Sequence, residues 1–245
     1  MRGVFSDRAA TALAVVLFAG LEGLTIVSRF YWPIFVSLLL ALIIGTFIAL
    51  SEDLKTRGPH VAILPVTYIA SVLLFHLFVS RGLFQHLFVV AATVGFLLLI
   101  ARATEWAYPT WTWLFTSLTI FLFASGANGL TFHLRFPLWV TGISIASMTG
   151  LLTYHVVGRT FPHLRRRLFW SLLLALLILE LLITLAFFPL AYLAVGGALF
   201  VVFYLFLHLL QHSVYSRLTR GVVLEYLSLA VFAIAFILLT AEWHV

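Results

Sequence analysis

Glu180 stands in the run LLLALLILELLITLAFF, where no other residue can ionise. A charged carboxylate at the centre of a bilayer costs about 2.5–3.5 kcal/mol. A carboxyl placed here must therefore be protonated, paired with a group on another helix, or open to water. The first and last states suit a proton-coupling or ligand-binding group. The second makes Glu180 a hydrogen-bonded tie between helices. On its own helical face the nearest polar group is Thr184, one turn away.

A second set of polar groups gathers near helix ends. Glu22 precedes Arg29 by seven residues, and Asn128 precedes Arg135 by the same interval, so each pair shares a helical face. His76, Arg81, His86 and His133 fall at comparable positions. Together these groups would suit the mouth of a vestibule for an anionic or headgroup-bearing ligand. The plainer role for such Arg and His side chains is to reach the headgroups from helix ends.

A third set lies in YLFLHLLQHSVYSR, where Tyr204, His208, Gln211, His212 and Tyr215 recur at steps of three and four. His208 and His212 have the i, i+4 spacing that lets two imidazoles share a metal ion, and Glu225 is a candidate third ligand. The zinc-protease motif also needs Glu directly after its first His, and residue 209 is Leu. Haem would need axial ligands on facing helices. His76, His86, His155, His208 and His212 are candidates with no pair singled out, so the cofactor is left unassigned.

Other chemistries lack their residues. There is no cysteine, hence no thiolate nucleophile or ligand. Asp7 and Asp53 are the only aspartates, and both lie outside the apolar runs. No glycine-rich phosphate loop appears, and the last apolar run has no lysine to hold a retinal.

The elements that position these groups follow from composition. The 245 residues are 64% hydrophobic and 9% charged, with a mean hydropathy of +1.17. Soluble domains carry roughly 25% charged residues. The chain therefore reads as all-α, a polytopic integral membrane bundle forming a single transmembrane domain over 1–245. A spanning helix needs about 20 apolar residues. Nine candidates run over 8–28, 32–51, 61–80, 83–103, 108–130, 137–157, 168–188, 190–213 and 222–241. The opening MRGVFSDRAATALAVVLFAG has Arg before an apolar run, as a signal peptide does. The run is too long for one, so a retained first helix is expected. Pro33, Pro109, Pro137 and Pro189 sit at or near helix starts, where proline is tolerated. Pro65 falls inside the third span and predicts a kink there. Gly142, Ala146 and Gly150, at four-residue intervals, predict close helix packing within the bundle.

Cations test the helix count, because cytoplasmic loops carry excess Lys and Arg. With nine spans, Arg2, Arg8, Lys55, Arg57, Arg102, Arg159, Arg165, Arg166, Arg167, Arg217 and Arg220 fall on the N-terminal side. Only Arg29, Arg81 and Arg135 fall on the other. The N-terminus is then cytoplasmic and the C-terminus outside, in what is expected to be a prokaryotic cytoplasmic membrane. This topology accounts for the net charge of +6, so no nucleic-acid partner is implied. Arg165, Arg166 and Arg167 are placed to bind anionic lipid headgroups, at about 1 kcal/mol per charge.

GLTIVSRF at 23–30 returns as GLTFHLRF at 129–136. Pro33 and Pro137 keep nearly the same offset. This predicts a 4+4 parallel internal repeat, with units 8–105 and 108–213 and an extra helix at 222–241. Three classes of function fit this reading. The first is a carrier or channel for a small or amphipathic solute. The second is a non-catalytic subunit of a larger membrane complex, with other subunits or further copies of the chain as partners beside membrane lipids. The third is a membrane enzyme acting on a lipid or isoprenoid-linked substrate.

Overall fold

The computed structural model describes residues 3–26, 32–102, 109–158, 161, 163–214 and 218–241. Its regular structure is helical: α1 (Gly3–Ile26), α2 (Trp32–Ala49), α3 (Ser51–Arg57), a 3-10 turn (Pro59–Ala62), α4 (Ile63–His76), α5 (Leu83–Arg102), α6 (Pro109–Leu134), α7 (Leu138–Val157), α8 (Leu164–Leu185), α9 (Tyr192–Val214) and α10 (Arg220–Thr240). Among the described residues, eight helices are long and apolar enough to cross a membrane, and a shorter apolar helix covers His60–His76. These helices fit a membrane location. Each of the nine expected segments falls on one of them.

Prolines explain several boundaries. Pro33 and Pro109 stand in the first turns of α2 and α6, and Pro137 is the N-cap of α7. Pro65 corrects the expected kink. Residues 59–62 form a 3-10 turn and α4 begins only at Ile63, so Pro65 lies in a first turn whose N–H groups have no intrahelical partner anyway. The polar segment SEDLKTR, most of which follows the expected span 32–51, forms the short helix α3.

The chain divides into two compact units, 1–119 and 120–245. The division falls within α6, whereas the expected repeat would begin its second copy at residue 108. In the first unit α1 packs on α2 and α5, and α4 packs on the same two helices, closing a four-helix ring. Its core holds Leu17, Leu21, Leu42, Tyr68, Ile69, Leu73 and Phe96, all fully buried. The Tyr68 hydroxyl donates to the Ala92 carbonyl at 3.2 Å, and its ring meets Phe115 edge-on at 5.9 Å. A buried phenol is thus satisfied without water.

In the second unit α7 and α8 form a tightly packed hairpin. Gly142 faces Leu179, and Gly150 faces Ala175 and the Ser171 carbonyl, so the small-residue stripe does pack within the bundle. Gly196 of α9 lies against the backbone of Ser125 in α6. Burial is uneven. Among the eight long apolar helices, the share buried is highest in Trp111–Leu134, at 67%, and lowest in Arg220–Thr240, at 6%.

Candidate functional site

At one end of the first unit three elements converge. α1 ends at Ile26, α4 ends at His76, and α5 begins at Leu83. Leu21 and Leu24 anchor the last turns of α1 in the core, which leaves Glu22 on the flank toward α5. Gly82, at φ 123°, makes a turn that L-residues rarely adopt. Its carbonyl accepts from the N–H groups of Gln85 and His86 at 3.0 and 3.4 Å, starting α5.

That start brings an acid and a base together. His86 Nδ1 lies 2.9 Å from Glu22 Oε1, across α1 and α5. With a proton on Nδ1 the imidazole donates to the carboxylate. With protons on both nitrogens the contact is an ion pair. The His86 side chain is 57% exposed and that of Glu22 26%. Thr25 Oγ1 donates to the Glu22 carbonyl at 2.6 Å, closing the last turn.

Gln85, the neighbour of His86, points the other way. It is 2% exposed, as is His76, and its Nε2 stands 3.4 Å from His76 Nε2. The amide donates there when that ring nitrogen carries no proton. The His76 ring stacks on Phe88 at 6.2 Å. His76 is therefore a buried core group, while Glu22 and His86 form the accessible pair. Arg81 is exposed at the same end.

The other candidates scatter. Arg29 lies outside the described residues. Asn128 is buried, and its Nδ2 donates to the Ala124 carbonyl of its own helix at 2.8 Å. One turn on, Thr131 and Thr141 share a hydrogen bond of 2.6 Å between α6 and α7. Arg135 is exposed and adopts φ 55°, turning the chain so that the Phe136 N–H returns to the Leu130 carbonyl at 3.3 Å. Its role visible here is to end α6.

Glu180 is exposed on α8, and no described side chain meets its carboxyl. It lies five residues before the end of α8 rather than mid-span, because the helix covers 164–185 and not 168–188. An open apolar groove of about 450 Å³ runs beside it between α7 and α8, lined by Leu138, Trp139, Gly142, Ile143, Leu179, Leu182 and Ile183.

His208 and His212 gather on α9 with Tyr204, as their spacing predicts. Across from them stands Tyr226 of α10, stacked on His208 at 5.4 Å and 5.6 Å from His212. Glu225 is exposed on α10. Among the described residues no group of three or more His, Asp or Glu side chains is placed to hold a metal ion. Of the three arginines in the first turn of α8, Arg165 and Arg166 are exposed. Arg167 folds back, its Nε donating to the Phe161 carbonyl at 2.5 Å.

The family described as "Protein of unknown function (DUF5656)" matches residues 9–240. The chain belongs to that family. No curated protein and no solved structure matches it. The match covers every candidate described above, so all of them lie inside the family's domain.

Proposed function

We propose that this protein is a membrane carrier for a small or amphipathic solute, with Glu22 and His86 as its proton-responsive pair. The observation that carries this reading is the 2.9 Å contact between a carboxyl on α1 and an imidazole on α5. Imidazole is the side chain whose ordinary charge change falls in the physiological pH range. Protonation there changes how strongly two helices of the ring hold each other, which is what coupling a proton to helix movement requires. An anionic solute would compete with Glu22 for the protonated ring.

The finer topology belongs to the same proposal. Nine spans, a cytoplasmic N-terminus and a C-terminus outside are proposed on the uneven cations, in what we take to be a prokaryotic cytoplasmic membrane. The 4+4 repeat is proposed on the GLT…RF match and on the matching prolines. Arg165 and Arg166 are the headgroup contacts of the cytoplasmic side.

The test uses proteoliposomes loaded with a pH-sensitive dye. Inorganic phosphate, short carboxylates and lipid-like amphiphiles are added in turn. One class is expected to drive proton movement that is lost in Glu22→Gln and in His86→Ala. Silence toward every class, or flux unchanged in both variants, refutes the carrier reading. A second reading, as a non-catalytic subunit, is favoured by α10, of which only 6% is buried. Its test is the mass of the gently solubilised assembly, which would have to include a different chain.

A further inference from the structure

α8 carries two seams. Ser171, Leu174, Ala175, Ile178, Leu182 and Leu185 are buried. The opposite seam has the same periodicity: Leu173, Leu176, Glu180 and Ile183 follow at intervals of three, four and three, with Leu177 and Thr184 beside them. All six are exposed. Five of the six are ordinary for a helix facing hydrocarbon, and the sixth is not. The exposed face of α2, with Ile34, Leu40, Ile44 and Ile48, carries no ionisable group.

Lipid tails can cover Leu176 and Ile183, but they offer no hydrogen bond to a carboxyl. Toward the end of α8, five residues on, Glu180 is followed by the apolar Ile183 and, past the helix, by the 82% exposed Phe187. We propose that this seam is the interface with a second copy of the chain, α8 against α8, with the two Glu180 carboxyls hydrogen-bonded to each other.

Symmetry supplies the complementarity. Two copies in one membrane have the same orientation, so a twofold axis along the membrane normal sets the two α8 helices parallel. Each Glu180 then meets its mate at the same depth. A protonated carboxyl donates one hydrogen bond and accepts others, so two carboxyls satisfy each other. A single polar residue in an apolar heptad seam also fixes register and the number of partners. This inference does not rest on the carrier reading.

The chain has no cysteine, so single cysteines report contacts cleanly. Leu176→Cys and Ile183→Cys, oxidised in membranes at a low protein-to-lipid ratio, are expected to give a species of twice the mass. Val231→Cys, on the exposed face of α10, is expected to give none. In the Ile183→Cys background, Glu180→Leu should slow cross-linking about tenfold, the worth of one interhelical hydrogen bond. Glu180→Gln should preserve it, because an amide also donates and accepts. The proposal is overturned if the seam cysteines do not cross-link, if Val231→Cys links as fast, or if Glu180→Leu leaves the rate unchanged.

Discussion

Gly196 is where a single atom matters most. A Cβ built there would stand 2.8 Å from the Ser125 backbone nitrogen and 2.9 Å from its Cα. Backbone in a helix interior cannot yield as a side chain can. Gly196→Ala should therefore destabilise the protein despite alanine's better helix propensity, by about 1–3 kcal/mol. A lower thermal midpoint in detergent would show it, and an unchanged midpoint would contradict the close approach. The candidate pair shows what one residue at a time can reveal. Glu22 stood out in the sequence because it shares a helical face with Arg29, seven residues on. His86 is 64 positions away, and nothing in local spacing links the two. Their meeting depends on how α1 packs on α5, which is tertiary information. Gln85 was missed altogether, although an amide beside a histidine at the start of an apolar helix is a readable signal. Tyr226 was missed because its partner histidines lie on the preceding helix.

The α7–α8 hairpin is the element whose packing was written most plainly in the sequence. The Gly142, Ala146, Gly150 spacing needs only helical periodicity to be read, and the two glycines do lie against α8. They differ in room. A Cβ on Gly150 would find its neighbours at 3.6 and 3.7 Å, whereas one on Gly142 would meet Leu179 at 2.9 Å. Gly150→Ala should thus be tolerated, even stabilising by up to about 1 kcal/mol through helix propensity. Gly150→Leu should drive the helices apart and cost about 1–3 kcal/mol. Thermal unfolding of the two variants side by side checks the contrast. The apolar runs located every long helix, because hydropathy and length suffice for that. They missed α3, whose SEDLKTR carries no apolar signal. They also set the start of α8 too late, since Arg165, Arg166 and Arg167 can occupy the first turn of a helix without being apolar.

For the whole molecule, the uneven cations make one firm prediction. Reporter fusions between residues 158 and 163 and at Val245 should report opposite sides of the membrane. The same side for both would remove a span from the proposed nine. The burial pattern has a mechanical consequence as well. α10 packs on α9 with Ala230 as its one buried residue, with Tyr226 against His208 and His212 and with Ile237 facing Gly197. A helix attached so lightly is a separable unit of local unfolding. Drawn out of a bilayer by force from its C-terminal end, the protein should release α10 as a first, discrete and low-force step, and resist more strongly once tension reaches α9. Tyr226→Ala should lower the force of that first step and leave the later ones where they were. The bundle would then behave less like one knot than like a coil whose last turn lifts off alone.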